Sequence, residues 1–154
     1  MRPYPFLLVA GALVAGAPVL AEEMKLPPLQ PQGGPQLVVD EHVDALNACD
    51  WDRLMAQYPP EVEFHLPNGT VIKGRDKIGE LFAGFCQERG AGGFKGLTFT
   101  PEHVFTVGDT LTVTWRAEAD FLAEPYRGAD AYVTQHGLMY AQVTTFDPAD
   151  MKFK

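Results

Sequence analysis

Apolar residues in the first half of the chain recur at the spacing of amphipathic helices. Val39, His42, Val43 and Leu46 lie three or four positions apart, which predicts a helix over residues 36–48. A short helix is predicted at residues 51–57, a hairpin at residues 62–66 and 70–73, and a third helix from residue 74 onward. Prolines and glycines separate these segments, as expected where helices and strands end.

The second half of the chain alternates apolar and polar residues with the period of strands. The odd-numbered positions from Leu111 to Phe121 are apolar, which predicts a strand with one buried face. Gly108-Asp109 and His136-Gly137 are typical of hairpin turns. The turns connect predicted strands at residues 97–107, 110–121, 126–135 and 138–146. Helices that pack on one face of a mainly antiparallel sheet form an α+β domain, which is the predicted fold class.

The amino terminus has the order of charged, apolar and small residues that is typical of a secretory signal peptide. Arg2 precedes an apolar run that ends in small and apolar residues at positions 19–21, before two glutamates. We therefore predict that residues 1–21 are removed on export and that the protein is periplasmic or secreted. Residues 22–35 are rich in proline and glycine and are predicted to be a linker. Residues 36–150 are predicted to form a single domain.

Composition excludes several classes of partner. The 12 basic residues less Arg2 leave 11 against 20 acidic ones, a formal charge of −9 after signal removal. This charge repels phosphate backbones, so no nucleic acid is expected as a partner. No second apolar run is long enough to cross a bilayer, so no membrane association is expected after signal removal. Cys49 and Cys86 would meet an oxidising compartment, where they could form a disulfide, or each could pack as a free thiol.

Three stretches of the sequence resemble the nuclear transport factor 2-like superfamily, including its SnoaL-like and ketosteroid isomerase-like branches. They are ALNACDWDRLMAQYPPEVEFHLP at residues 45–67, GTVIKGRDKIGELF at 69–82 and AYVTQHGLMYAQVTTFDP at 131–148. The resemblance implies a cystatin-like cone, in which three helices pack on a strongly curved, mainly antiparallel sheet. The same fold hosts enzymes, binding modules and assembly domains, so the fold does not by itself give the function.

The ketosteroid isomerase branch implies catalytic positions that this sequence largely lacks. In that branch an aspartate before a proline moves the proton, and alignment on Pro67 places Leu66 there. Leucine cannot act as a general base. The same alignment places His42 at the position of the oxyanion-binding tyrosine, and alignment on the last hairpin places Ala129 at that of the late-strand acid. Asp130 is one residue away, which in a strand predicts the opposite face.

A ligand pocket is the kind of site that these patterns favour. His42 lies on the apolar face of the first predicted helix, where it could act as an acid or base or could be a core histidine bonded to a carbonyl. Tyr58, Leu66, Phe82 and Trp115 are the other predicted pocket residues, and core packing is the alternative role of the aromatic ones. No spacing of His, Cys, Asp and Glu resembles a metal site, and no cofactor is expected.

Three functions follow from the sequence as alternatives. The expected one is a domain that binds a small apolar molecule, or a partner, in or around the cone. An isomerase, cyclase or hydrolase would use His42 with an acid that the sequence does not place, and would need His42 beside an open cavity. A homodimeric or assembly module would use an exposed face of the sheet.

Overall fold

The computed structural model describes residues 24–154, so the predicted signal peptide lies outside the described residues. Helices α1, α2 and α3 span Pro35–Ala48, Trp51–Met55 and Arg75–Phe85. Strands β1 to β6 span Glu63–His65, Val71–Lys73, Thr98–Val107, Thr110–Glu118, Tyr126–Gln135 and Leu138–Thr144. Short 3-10 turns lie at Arg89–Ala91 and Pro148–Asp150. The predicted order of helices and strands and the α+β class are confirmed.

The six strands form one sheet in the order β2-β1-β6-β5-β4-β3. Neighbouring strands are antiparallel except β1 and β6, which are parallel. Gly108 and Gly137 lie in the two predicted hairpin turns, where their positive φ angles of 58° and 75° suit glycine. The register shifts on β3 between Pro101 and His103 and on the β5–β6 pair after Val133. Irregularities of this kind bend strands, which favours a curved sheet.

Local sequence explains where the first two helices begin and end. Pro35 lies in the first turn of α1, where its missing N–H removes no helical hydrogen bond. Cys49 ends α1 in the left-handed conformation, with a φ of 49°. Asp50 caps α2, because its Oδ1 accepts a hydrogen bond of 3.1 Å from the backbone N–H of Arg53. α2 ends at Met55, earlier than the predicted residue 57.

The helices pack on one face of the sheet, and the core lies between these two layers. β4 carries the predicted alternation, since Leu111, Val113, Trp115 and Ala117 are buried. α1 contributes Val38, Val39, Ala45 and Leu46. The side chains of Thr112 and Thr114, on the other face of β4, are exposed. Between residues 24 and 154 no helix combines the length and the apolar content that crossing a membrane requires.

The predicted linker at residues 22–35 needs correction. Its last residue, Pro35, begins α1, and the described residues before it lie against the domain. The backbone N–H groups of Gln30 and Gln32 each donate a 2.8 Å hydrogen bond to a carbonyl of the domain, and Leu26 packs against the core. A proline-rich segment forms few hydrogen bonds of its own, so its backbone groups are free to pair with neighbouring structure.

A disulfide joins the residues that follow two of the helices. Cys49 comes directly after α1 and Cys86 directly after α3, and their Cα atoms are 5.5 Å apart. This separation is within the range of protein disulfides. Of the two alternatives that the sequence left open, the structure therefore has the bonded pair.

Candidate functional site: a cavity between the helices and the sheet

A cavity of about 570 Å³ lies between α1, α3 and the inner face of the sheet. Its volume is within the range of small-molecule sites. α1 contributes Val43 and Leu46 to the wall, and α3 contributes Leu81 among others. Aromatic rings line most of the remaining wall, namely those of Phe64, Phe82, Phe85, Phe94, Phe99, Trp115, Tyr132 and Phe146. The cavity is therefore suited to an apolar and largely flat occupant.

One end of the cavity opens to solvent. The lining residues there are exposed and belong to three segments: Pro67 and Asn68 between β1 and β2, Gln87 and Ala91 after α3, and Pro148 after β6. A small molecule could enter between these segments without any change in the sheet.

The loop after α3 is held at the opening by a charged side chain among aromatic rings. The guanidinium carbon of Arg89 lies 5.1 Å from the ring centres of Phe94 and Phe121 and 4.6 Å from that of Phe153. Arg89 also donates a 2.9 Å hydrogen bond to the carbonyl of Gly93. Such cation–π contacts fix this loop to the end of the chain.

The inner end of the cavity is polar. Asp130 Oδ2 accepts hydrogen bonds from the Tyr132 hydroxyl at 2.8 Å and from Gln142 Nε2 at 3.2 Å. Three further buried atoms of the cavity wall have no partner among the described residues: Asp130 Oδ1, Gln142 Oε1 and Trp115 Nε1. Two of these atoms are acceptors and the third is a donor. Because buried polar atoms are usually paired, these three atoms together are the clearest sign of a binding site.

Burial shifts the titration of this polar end. The pKa of Asp130 is raised by burial, although the hydrogen bonds from Tyr132 and Gln142 and the nearby polar groups of Thr144 and Trp115 oppose the shift by favouring the carboxylate. Burial and the nearby Asp130 charge also raise the pKa of the Tyr132 hydroxyl far above its ordinary value. Within residues 24–154 no three His, Cys, Asp or Glu side chains come together to hold a metal ion.

The position of Asp130 corrects the sequence prediction, which placed Ala129 at the acid position and Asp130 on the opposite face. Asp130 lies opposite Val113 in the β4–β5 pair, and Ala129 lies opposite Thr114. Directly opposite residues of an antiparallel pair share a face, so Asp130 points inward with Val113. Alignment on a hairpin turn gives an offset along the chain, but pairing with the neighbouring strand decides which face a residue takes.

Two of the predicted pocket residues lie behind the cavity wall. His42 and Tyr58 are fully buried and do not line the cavity. His42 Nδ1 lies 3.2 Å from the Tyr58 hydroxyl, and the ring of Tyr58 stacks on that of Phe82 with centres 5.8 Å apart. His42 Nε2 has no partner among the described residues. Burial lowers the pKa of His42 to about 4, so the ring is neutral at physiological pH.

The other three predicted pocket residues, Leu66, Phe82 and Trp115, line the cavity. Sequence reasoning missed Asp130 and Gln142. The signal for Asp130 was its position two residues before Tyr132 in the same strand. A large aromatic residue in a strand usually faces the core, and residues two apart share a face, so Asp130 faces the core with it. Gln142 follows a register shift in the β5–β6 pair, so simple alternation from the hairpin does not place it.

Comparison with known proteins gives one family and many similar folds. The family profile described as a SnoaL-like domain matches residues 39–147. No curated protein matches the chain. An NTF2-like protein of unknown function from Cytophaga hutchinsonii has a similar structure, with a TM-score of 0.61 and 13% identity over 79% of this chain and 96% of that one.

Two other proteins of similar structure are associated with small organic molecules. TerC, co-crystallised with polyporic acid, has a TM-score of 0.62 and 16% identity over 75% of this chain and 92% of its own. A computationally designed 17-OHP binder has a TM-score of 0.62 and 20% identity over 80% of this chain and 98% of its own. At these identities the likeness is one of fold.

Proposed function

We propose that this chain, which belongs to the SnoaL-like domain family, binds a small apolar molecule with a hydroxyl group. The binding site is the cavity between α1, α3 and the sheet. The single observation that carries this proposal is an aromatic cavity of about 570 Å³ with unpartnered polar atoms at its inner end. Apolar walls supply affinity, and a few polar groups fix the orientation of the ligand.

The chemistry of the unpartnered atoms favours a hydroxyl over other polar groups. A hydroxyl donates one hydrogen bond and accepts others, so it can donate to Asp130 Oδ1 or Gln142 Oε1 and accept from Trp115 Nε1. An ammonium group only donates and would leave the indole unpaired. A carbonyl only accepts, so it could pair with the indole of Trp115 but would leave the amide oxygen of Gln142 unpaired.

The similar structures support the proposal at the level of fold. One was crystallised with polyporic acid and another was designed to bind 17-OHP. This fold therefore accommodates small organic molecules in at least two other proteins. The identity of the ligand of this chain does not follow from theirs.

An isomerase that uses His42 is less well supported. His42 is separated from the cavity by the ring layer that includes Phe82. Alignment on Pro67 also places Leu66, which cannot accept a proton, at the position of the proton-moving aspartate.

Asp130 could polarise a bound oxygen, but both other carboxylates of the cavity wall have partners. Glu80 pairs with Lys77 at 2.8 Å, and Asp147 Oδ1 accepts a 2.9 Å hydrogen bond from the backbone N–H of Ala149.

The proposal can be tested with a matched set of fluorescent probes: pyrene, 1-hydroxypyrene and 1-methoxypyrene. The purified domain should bind 1-hydroxypyrene at least tenfold more tightly than the other two, because only the phenol can donate to Asp130 or Gln142. The chain has two tryptophans: Trp115 lines the cavity, whereas Trp51 donates to the carbonyl of Gly79 outside it. Trp115→Phe should therefore weaken the binding of 1-hydroxypyrene, because it removes the indole donor from the cavity, whereas Trp51→Phe should leave the affinity unchanged.

Two results would contradict the proposed function. Absence of binding by all three probes and by a wider set of hydroxylated apolar molecules would remove the binding role. Equal affinity for pyrene and 1-hydroxypyrene would retain a binding cavity but remove the hydroxyl-binding role of its polar end.

We also propose that the protein acts after export. The residue pattern of positions 1–21 and the disulfide between Cys49 and Cys86 support this location, because disulfides persist in oxidising compartments. In a bacterial host, mass spectrometry of the periplasmic fraction should find a chain that begins at Glu22. Recovery of only the full-length chain from the cytoplasm would contradict export.

A further inference from the structure

The disulfide lies within one helical turn of the cavity on both of the helices that wall it. Leu46 of α1 is three residues before Cys49, and Phe85 of α3 is directly before Cys86. Cys49 and Cys86 are both only partly buried, so a small reductant can reach the bond between them. The loop that follows Cys86 lines the opening of the cavity.

Few other contacts hold these two helices together. α1 packs on α2 and on strands β3 to β6, and α3 packs on α2 and β2. α1 and α3 meet at the ring pair of His42 and Phe82, whose centres are 6.0 Å apart, well before the ends of the two helices. α2 lies between them and is only five residues long. The cavity also separates the inner sides of α1 and α3. The disulfide is therefore the link that joins the carboxyl-terminal ends of the two helical walls.

The rest of the core does not depend on this bond. The sheet is a continuous ladder of six strands, and α1 is anchored to it by Val38, Val39 and Ala45, all fully buried. Gly79 of α3 lies against Trp51 and Met55 of α2, so α3 retains its contact with α2 without the disulfide. Loss of the bond thus frees the ends of α1 and α3 while the sheet and the α1–sheet core remain.

We propose that the Cys49–Cys86 disulfide clamps the two helical walls of the cavity at the spacing that the ligand requires, so that its reduction weakens ligand binding without unfolding the domain. This inference rests on the proposed binding function. Reduction by a dithiol breaks the S–S bond and forms two thiols, while the dithiol becomes a disulfide and supplies the two electrons and two protons. Ligand would then be retained in an oxidising compartment and released where dithiol reductants act.

The test measures the dissociation constant of 1-hydroxypyrene for four forms of the protein. The first is oxidised and the second is reduced by dithiothreitol. The third is reduced and has both thiols capped by iodoacetamide, and the fourth is reduced and then bridged with a methylene group from diiodomethane. The methylene bridge restores the covalent link but resists reduction. We expect the dissociation constant to rise at least tenfold in the reduced and capped forms. The bridged form should recover most of the affinity and keep it in dithiothreitol.

Circular dichroism on each form separates a clamp from a merely stabilising bond. Far-ultraviolet spectra of the reduced and oxidised forms should coincide at 25 °C. Equal affinity in the oxidised and reduced forms would overturn the clamp but leave the proposed function intact. Loss of the far-ultraviolet signal on reduction would also overturn the clamp, because the bond would then be needed for folding itself. Absence of binding by the oxidised form would instead mean that the proposed function itself fails. The Cys49→Ser/Cys86→Ser double variant should behave like the reduced protein, and retention of full affinity in it would also overturn the clamp.

Discussion

The buried His42 makes a quantitative prediction about stability and pH. Its pKa falls from 6.5 to about 4 on folding because burial disfavours the imidazolium. Between these two values the unfolded chain binds more protons than the folded one, so the free energy of unfolding rises with pH. The contribution is complete above pH 6.5 and is lost as the pH falls toward 4.

The size of the effect follows from the size of the shift. One pKa unit corresponds to about 1.4 kcal/mol, so a shift of this size is worth roughly 3 kcal/mol between pH 7 and pH 4. That is a large share of the total stability of a small domain, which is typically about 5–15 kcal/mol. Carboxylates also respond to pH in this range, so the effect of His42 has to be isolated by comparison with a variant.

The assay is urea unfolding at pH 4, 5, 6 and 7 for the wild type and His42→Gln. Glutamine can still hydrogen-bond the Tyr58 hydroxyl, which lies 3.2 Å from His42 Nδ1, but it does not titrate. Between pH 7 and pH 4 the wild type should lose about 3 kcal/mol more than the variant. Parallel profiles for the two proteins, at unchanged m-values, would refute the reasoning and indicate that His42 becomes charged in the folded state.

Three further predictions test the polar end, the packing of the cavity wall and the outer face of the sheet. Asp130→Asn should raise the free energy of unfolding at neutral pH, measured by urea titration. The raised pKa of Asp130 means that the folded state binds this proton more tightly than the unfolded state does, so the free energy of unfolding falls as the pH rises above the ordinary carboxyl range. Asparagine does not titrate and therefore lacks this fall. An unchanged or lower free energy of unfolding in the variant would contradict the prediction. Gly128→Ala should lower the melting temperature, by an overpacking cost of about 1–3 kcal/mol, since a Cβ there would collide with the Trp115 ring. Gly84→Ala, with open space around it on α3, is the matched control and should be neutral or stabilising; equal effects would count against the packing argument. The assembly role that the sequence left open as an alternative predicts a homodimer through the outer face of the sheet, where Phe105 is 68% exposed. On that alternative, light scattering should give a dimer mass for the wild type and a monomer mass for Phe105→Lys, and a monomeric wild type at micromolar concentration would count against it.

The order of helices and strands could be predicted from the sequence because the hydrophobic periods are clean. The odd positions of β4 are apolar and its even positions are polar, so the buried face of that strand follows directly from alternation. Turn residues placed the element ends to within a few residues, as Gly108-Asp109 did for the end of β3 and the start of β4. Such signals are local, and local signals determine this kind of secondary structure well.

The site could be predicted only in part, because it depends on distances between elements. Periodicity places His42 on the buried face of α1, but it cannot tell a residue that lines a cavity from one behind a layer of rings. The disulfide depended on a Cα separation that sequence does not contain. Asp130 required the register of β5 against β4, which is a long-range pairing.

The polar end of the cavity is the feature that a purely structural role explains least well. Leaving a buried hydrogen-bonding atom unpaired costs about 1–3 kcal/mol, and the raised pKa of Asp130 indicates a further cost of ionising a buried carboxyl. A core shaped by stability alone would carry apolar side chains at Asp130 and Gln142, as it does at Leu66. A ligand hydroxyl would remove that cost by pairing with these atoms, so the same residues that weaken the empty domain would strengthen the complex. The Asp130→Asn variant should therefore gain stability and lose selectivity for 1-hydroxypyrene together, and a variant that gains one without losing the other would separate the two roles.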